Sequence, residues 1–408
     1  MIPKSSIEQI VQKQLKSLAE QSIGQARDIE DRLPYLTDRA LLIGGTRGSG
    51  TSSLLYRLFH NDYPEAWFTD FDDPRMAGFD AMDFRKLEQL IEDSGKGTLL
   101  FNRIDLAADW MDFCIRKIEQ GIKIISTVSL DTLYDLSKSP DSGQQNLTQR
   151  FFIPMRLYPL SYREYLRYTH KSGGEQVVNE YMLRGSFPGM LRPENAEALR
   201  RLYTEIVSRD ALIAGGIRDH NTLQRVLLHL MTHTGESVTA NKLRDKLRIK
   251  AVSTVAEHMS CAERAGLVHF VSILSDNPAR QAVNPRKVYA TDTAMAQAVS
   301  WEDIDKPRLF ETLVFNHLKS AGYTLHYTNE LGGCDFIATD DEGTTLCIQS
   351  CYEDDPDCVQ TKTEGLVYAL EATRSKRGII VTRDRTDQIE TDGYTIETMD
   401  ADTFLSDF

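Results

Sequence analysis

Near the start of the chain Ile7, Ile10, Val11, Leu15 and Leu18 recur at helical spacing, which predicts a helix over residues 4–33, closed by the proline-marked turn of "RLPYLTD". The pattern then changes. "RALLIGG" is a continuous apolar run bounded by glycines, and "TSSLLYRLFH" after it returns to helical periodicity, so residues 39–60 read as strand, loop and helix. "AWFTDF", "GTLLFNRID" and "KIISTVS" are three further buried strands, with "FDAMDFRKLEQLIEDS" and "DWMDFCIRKIEQG" as the helices between them. Strands that alternate with helices need right-handed crossovers, and so predict a parallel sheet covered on both faces.

From "SYREYLRYTH" to about residue 225 the text is helical and polar, broken at "RGSFPGML". Two helices with a short turn follow in "SVTANKLRDKLRIKAVSTVAEHMSCAERAG", then alternating "LVHFV", a Pro/Asn-marked loop and "KVYATD", the order of a winged helix-turn-helix. The last block returns to α/β, with helix "PRLFETLVFNHLKSAG", strands "TLHYTN", "CDFIATD" and "TTLCIQSCY", helix "KTEGLVYALEAT" and strand "KRGIIVTRD". The 408 residues exceed what one core usually serves and predict two to four domains at about 100–200 residues each. The fold class is α/β and multidomain, divided at 1–36, 37–160, 161–228, 229–300 and 301–408.

Charge changes the picture in one respect. The net charge is −13, but residues 331–408 hold 18 acidic against 6 basic side chains, whereas residues 240–290 hold nine basic against four acidic. A nucleic-acid contact therefore belongs in the middle of the chain. The apolar runs are far below the ~18 residues a membrane helix needs, and the amphipathic start lacks a signal peptide's apolar centre, so a cytoplasmic protein is expected. The six cysteines form no CxxC pair; Cys347, Cys351 and Cys358 are close together but have no histidine nearby, and read as isolated thiols.

The chemistry lies in "GGTRGSGTSSLL", residues 44–55. A phosphate-binding loop runs Gly, four residues, Gly, Lys, Ser or Thr. Gly45 to Ser52 matches except at Thr51, where the lysine belongs. Gly45, Gly48 and Gly50 can still form a backbone cradle and Ser52 can still offer a hydroxyl to Mg²⁺, but a threonine neither reaches nor neutralises a transferring phosphoryl group. The acid expected at the end of a neighbouring strand is missing too, because "GTLLF" runs into Asn102 and Arg103. Arg47 and Asp105 are the candidates to substitute.

These motifs resemble a family of prokaryotic AAA-type ATPases that carry a winged helix and a C-terminal domain of unknown function related to restriction-endonuclease folds. The likeness runs nearly end to end, through "DFDDPR", "RIDLAADW", "LTQRFFIPMRLYPLSYREYL", "YMLRGSFPGML", "EIVSRDAL", "STVAEHMSCAERAGLV", "RKVYATD", "LFETLVFNHL" and "CDFIATDDEGTTLCIQSCY" in order. The resemblance implies a P-loop domain at 37–160, a helical lid at 161–228 and a nuclease-like domain at 301–408. It also implies ATP and Mg²⁺ as ligands: Gly45, Thr46, Arg47, Gly48, Ser49, Gly50, Thr51, Ser52 and Ser53 would form the nucleotide loop, and Ser52 would hold the metal. Arg150 would contact nucleotide phosphates, in a neighbouring subunit if the protein oligomerises. The departures fall on catalytic positions: the family would have Lys at Thr51, Asp-Glu at Asn102-Arg103, Gly-Ser at Val128-Ser129 and Gly at Gln149, while Pro159, Ser161, Gly185 and Pro188 are kept.

The C-terminal block departs in the same way. Glu311, Asp335 and Gln349 sit where a Mg²⁺-dependent nuclease of this fold needs them, but Cys351 takes the lysine position and Cys334 replaces a glutamate. In the winged helix, Lys242, Arg244, Lys246, Arg248 and Lys250 precede a recognition helix at 252–265 that offers Ser253, Thr254, Glu257, His258 and Arg264 to DNA, with Arg280, Arg286 and Lys287 on the wing. The leading expectation is a pseudo-ATPase that acts through its winged helix or protein partners. The alternatives are an ATPase with an altered site using Arg47 or Asp105, and a DNA-binding regulator that uses no nucleotide.

Overall fold

The computed structural model describes residues 1–407 except 22, 138–144, 192–194, 214–215, 276, 278–280, 282–283, 330–331, 354–355 and 392. Arg280 of the wing lies outside the described residues. Two compact units result, Met1–Pro159 and Leu160–Phe408.

The first unit begins with helix α1 (Lys4–Glu20), which is shorter than the spacing predicts. Its apolar stripe ends at Leu18, no apolar residue continues it in register, and the chain turns extended at Gln21, ahead of Gly24. Residues 28–32 form a separate 3₁₀ turn. Strands β1 (Ala40–Gly45), β2 (Trp67–Asp70), β3 (Thr98–Asn102) and β4 (Lys123–Val128) fall where the apolar runs lie. Helices α2 (Thr51–Asn61), α3 (Phe84–Ser94) and α4 (Trp110–Glu119) alternate with them. The chain continues through α5 (Leu130–Ser137) and α6 (Gln145–Phe151) to β5 (Phe152–Leu157).

The sheet is parallel throughout, in the order β2-β3-β4-β1-β5. Alternation along β1 divides the core. Leu41 and Ile43 pack with Leu54, Leu55 and Leu58 of α2, while Ala40 and Leu42 join the cluster of Phe84, Phe101 and Phe113 on the other face. Strand β5 escapes the pattern reading because Pro154 interrupts it. Pro154 pairs with Leu42 at the sheet edge, where a residue without an N–H is tolerated.

The second unit opens with α7 (Tyr162–Thr169), whose N-cap Ser161 accepts from the Glu164 N–H at 3.2 Å while Glu164 accepts from the Ser161 N–H at 2.9 Å, a reciprocal capping box. Helix α8 (Glu175–Arg184) ends at Gly185, with φ +82°, where a Cβ would sit 2.7 Å from the Asp292 carboxylate. That carboxylate accepts from Ser186 N–H (2.6 Å) and Oγ (2.7 Å), which explains the break in the sequence at "RGSF". After α9 (Asn195–Glu205) come α10 (His220–Thr232), β6 (Ser237–Val238), α11 (Ala240–Leu247), α12 (Val252–Arg264), β7 (Val268–Ile273) and β8 (Arg286–Ala290). The three strands form an antiparallel ribbon.

Helices α13 (Thr293–Val299) and α14 (Lys306–Ser320) lead into β9 (Thr324–Thr328), β10 (Cys334–Thr339), β11 (Thr345–Cys351), α15 (Pro356–Thr373), β12 (Gly378–Thr382), β13 (Asp387–Thr391), β14 (Tyr394–Asp400) and α16 (Ala401–Asp407). Strand β7 pairs in parallel with β9 through Ser272 and Ile273, so the ribbon is continuous with the last α/β block in one nine-stranded sheet. Strand β13, an exposed edge strand, carries little apolar alternation and is not legible in the pattern.

Candidate functional site

The glycine loop lies at the C-terminal end of β1, inside a parallel sheet, where ligands of open α/β sheets bind. Gly48 (φ +89°) and Gly50 (φ +99°) occupy the left-handed region, which a side chain would resist. Gly45 is needed for a different reason. A Cβ there would fall within contact distance of the Leu157 carbonyl oxygen and 2.5 Å from Ser49 Oγ. Thr46 and Ser49 are buried, Arg47, Thr51 and Ser52 are half-buried, and Gly48 and Ser53 are exposed. Helix α2 starts at Thr51 with no side-chain cap, so its first-turn N–H groups face an anion-ready turn. From behind, Arg27 braces the loop, donating Nη1 to Ser49 O (2.7 Å) and Nη2 to Tyr158 O (2.8 Å). Sequence reasoning missed Arg27, since nothing in the motif points to residue 27.

At the end of β3 a hydrogen-bonded chain replaces the expected acids. Asn102 Oδ1 accepts from Ser52 Oγ (3.0 Å) and Thr127 Oγ1 (2.7 Å), and its Nδ2 donates to Asp70 Oδ1 (2.9 Å). Burial pushes the Asp70 carboxyl up from its ordinary value. Asp70 is the second residue that sequence reasoning missed; it pairs with Asn102 in the register of β2 on β3. Arg103 has left-handed backbone (φ +55°) and turns its guanidinium to Asp105, Nε to Oδ1 at 2.9 Å. Asp105 also accepts from Ser129 N–H (2.8 Å) and Thr132 Oγ1 (3.2 Å), so its carboxylate is committed within the fold.

The backbone fits a nucleotide's phosphates: the close-packed Gly45 and the left-handed Gly48 and Gly50 make a tight turn into the start of α2, beside the buried Ser49 Oγ, which has no hydrogen-bond partner. Mg²⁺ does not fit the side chains. Ser52 Oγ donates its proton to Asn102 Oδ1 and keeps its lone pairs, but the side chain beside it is a neutral amide where a carboxylate ligand is needed, and the Asp70 carboxylate is engaged by the Asn102 amide. Arg150 is exposed on α6, its guanidinium 5.0 Å from the Phe151 ring.

In the second unit the predicted basic residues separate. Lys242 and Lys246 line a cavity with His229 of α10 and His233, which caps that helix. Arg244 pairs with Asp245 at 2.7 Å, Arg248 (φ +52°) caps α11 and is exposed, and Arg264 lies in the last turn of α12. Two expectations fail. His258 is buried at 2% exposure with both ring nitrogens unpartnered, because α12 turns that face to the core, so it cannot read bases. Lys287 does not decorate a wing. Strand alternation separates it from Arg286, whose guanidinium lies 4.5 Å from the Phe270 ring, and sends it inward.

Lys287 Nζ meets Glu311 Oε1 (2.8 Å) and Asp335 Oδ1 (3.2 Å), and Lys362 Nζ of α15 meets Asp335 Oδ2 (2.7 Å) and Gln349 Oε1 (3.4 Å). The structure therefore gathers Glu311, Asp335 and Gln349 as the spacing predicts, and fills the space between them with two ammonium groups. Burial alone would raise Asp335, but Lys287 and Lys362 more than reverse it and hold the carboxyl well below the usual range. Cys351 does not stand as an isolated thiol: its Sγ lies 3.1 Å from Cys358 Sγ, while Cys347 faces Thr373. Among the described residues no group of three or more His, Cys, Asp or Glu could hold a metal ion, and no helix is long and apolar enough to cross a membrane.

A glycine loop at the head of a parallel sheet, opening a helix whose first turn is uncapped, defines the class of the P-loop nucleotide domains. Within that class, residues 37–166 match the family model described as AAA domain, so the first unit carries an AAA-type domain. Residues 175–306 match a second model, described as domain of unknown function DUF8612. No curated protein matches the sequence. Similar solved structures include the Walker-type ATPase PABY2304 of Pyrococcus abyssi (14% identity, TM-score 0.40, 73% of this chain and 98% of that one). Others are AMPPCP-bound DnaA from Aquifex aeolicus (11%, 0.27, 64% and 92%) and the RuvB Holliday junction branch migration motor of Thermotoga maritima (15%, 0.26, 64% and 89%).

Proposed function

We propose that the first unit binds nucleotide phosphates through its glycine loop without hydrolysing them, and that the protein acts through partners of its second unit. The observation that carries this reading is Asn102, an amide that accepts the Ser52 hydroxyl where hydrolysis needs a carboxylate. Removing one electrostatic contact to a transition state typically costs about 10²–10³-fold in rate. Two are gone, since Thr51 also stands where the lysine belongs. The altered-ATPase alternative loses support because Asp105 is engaged by Arg103, Ser129 and Thr132. The test is calorimetric titration of the intact chain with ATP, with and without Mg²⁺, alongside Thr51→Lys. Binding indifferent to Mg²⁺ and without turnover is expected; Mg²⁺-dependent turnover that Ser52→Ala abolishes overturns the reading. If the loop is a relic, only Thr51→Lys will bind.

For the second unit we read α10 to β8 as a winged helix, on the order helix, short strand, two helices and a two-stranded wing. Its exposed α12 face carries Ser253, Ala256, Glu257 and Ser260, so any nucleic-acid contact rests on phosphate charge from Arg248, Lys250 and Arg264. Salt-sensitive duplex binding that weakens in Arg248→Ala/Arg264→Ala supports it, and binding indifferent to them ends it.

A further inference from the structure

The second unit carries a partly open cavity of about 150 Å³ between α10, α11 and the strands β6 and β8. Its floor is apolar, made by Leu230, Leu243 and Val288, each at 1% exposure or less. Its rim is not. His229 of α10 and His233, which caps that helix, have ring centroids 3.7 Å from each other, and Lys242 and Lys246 stand one turn apart on α11 opposite them.

Hydrogen bonding fixes the charge of this rim. His233 Nδ1 is 2.9 Å from the His229 carbonyl oxygen, which can only accept, so Nδ1 carries the proton. His233 Nε2, 3.0 Å from Lys246 Nζ, must then accept, and the ring is neutral. Lys246 spends one of its three protons there. Among the described residues Lys242 has no ion pair and no side-chain hydrogen bond, and the His229 ring has no hydrogen-bond partner. The single carboxylate of the rim, Glu236, is taken by the Arg308 guanidinium. Burial, and then the neighbouring His233 and Lys246, hold the His229 imidazole down to about 3, so it too is neutral and offers one N–H. Two ammonium groups thus meet at a hollow without a free counter-charge. Lys246 already occupies the His233 lone pair that a metal ion would need, which leaves an anion as the complementary ligand.

We propose that this cavity binds a small oxyanion, a phosphate or carboxylate group on a short apolar body, gripped by Lys242, Lys246 and the His229 ring N–H over the Leu230–Leu243–Val288 floor. A cavity of about this volume takes a ligand of roughly benzene's size, which suits an oxyanion head with a few carbons. The site is independent of the glycine loop in the first unit.

The test is calorimetry on the intact chain at constant ionic strength, with ethyl phosphate and butyrate as separate probes. Wild type is expected to bind at least one of them saturably. Lys242→Ala/Lys246→Ala should weaken that event about 10-fold or more. Arg218→Ala/Lys376→Ala, which removes the same charge from exposed positions outside the cavity, should leave it within about 2-fold. His229→Phe keeps the ring and removes the N–H, and should weaken the event several-fold. A phosphate site on the glycine loop is set apart by its indifference to all of these changes. Binding of ethyl phosphate alone assigns a phosphate ligand, and binding of butyrate alone a carboxylate. No saturable binding of either probe, or equal weakening by the cavity pair and the control pair, overturns the proposal.

Discussion

Asn102→Asp, which places the expected acid at the end of β3, is expected to destabilise the first unit. Asn102 Nδ2 donates to Asp70 Oδ1 at 2.9 Å, and Asp70 is largely buried with its carboxyl already pushed up. Aspartate at 102 exchanges that donor for a second acceptor and brings two carboxylates to about 4 Å between charge centres. At an effective dielectric near 20 the repulsion is about 4 kcal/mol. The fold can relieve it only by keeping one proton on the pair, so the apparent value of one carboxyl rises. The sign follows: a carboxyl raised in the folded state costs nothing below its unfolded value of about 3.9, and the cost grows as pH rises through the folded value. At about 2–4 °C per kcal/mol, melting of the first unit should fall by roughly 8–16 °C at pH 8 and approach wild type towards pH 4. Trp67 and Trp110 report this unfolding by fluorescence, both being buried in the first unit. Millimolar Mg²⁺ should restore part of the loss, by neutralising the new pair. A variant that melts within about 1 °C of wild type from pH 5 to 8 would refute the reasoning, since Asp70 would then not be coupled to residue 102.

Gly45→Ala should abolish nucleotide binding or weaken it about 10-fold or more, because the Cβ drives against the Leu157 carbonyl and Ser49 Oγ and moves the loop; unchanged calorimetric affinity would take the loop out of the site. Lys362→Met should destabilise the second unit by about 3 kcal/mol in urea titration, since it leaves Asp335 buried with one ammonium partner, and a loss below about 0.5 kcal/mol would contradict the ion-pair reading. Because Asp335 is held below its ordinary value, wild type keeps this stability above about pH 4 and loses it as pH falls further; Lys362→Met should begin to lose it at higher pH. His258, whose imidazole burial pushes down, stays neutral in the fold while the unfolded chain protonates near pH 6.5. His258→Phe should therefore flatten the stability loss below that pH by up to about 1.4 kcal/mol per pH unit, and an unaltered slope would place the acid sensitivity elsewhere.

How much of this was legible in the sequence depends on whether a residue's role is local. The four apolar runs of β1 to β4 and the loop at 45–52 could be read directly, because burial on both faces and tight turns are imposed residue by residue. The substituted positions Thr51 and Asn102 were visible for the same reason. Strand β5 was hidden by Pro154, which an edge position tolerates and a pattern does not reveal. The partners of the site were harder. Asp70 reaches Asn102 only through the pairing of β2 with β3, and Arg27 reaches Ser49 only through the folded path of residues 24–32. Lys287 and Lys362 were invisible as a pair, since they come from β8 and α15 and meet only at Asp335. His258 was misplaced because helical spacing gives a face but not which face the core takes.

The candidate sites differ in one physical respect that decides where a ligand belongs. At Asp335 and at Asp105 each carboxylate has its full set of internal donors, Lys287, Lys362 and Ser350 for one, Arg103, Ser129 and Thr132 for the other. A divalent cation would have to displace ammonium or guanidinium groups already at contact distance, and gains little from a charge that is already balanced. The glycine loop and the α10–α11 cavity are the reverse. In one, the first turn of α2 has no side-chain cap; in the other, Lys242 and the His229 ring have no side-chain hydrogen-bond partner among the described residues. A half-buried donor without an acceptor, such as the His229 ring, costs free energy that a ligand or ordered water offsets. On the proposed reading both units offer donors to an anion, while the carboxylates of Asp105 and Asp335 are engaged within the fold.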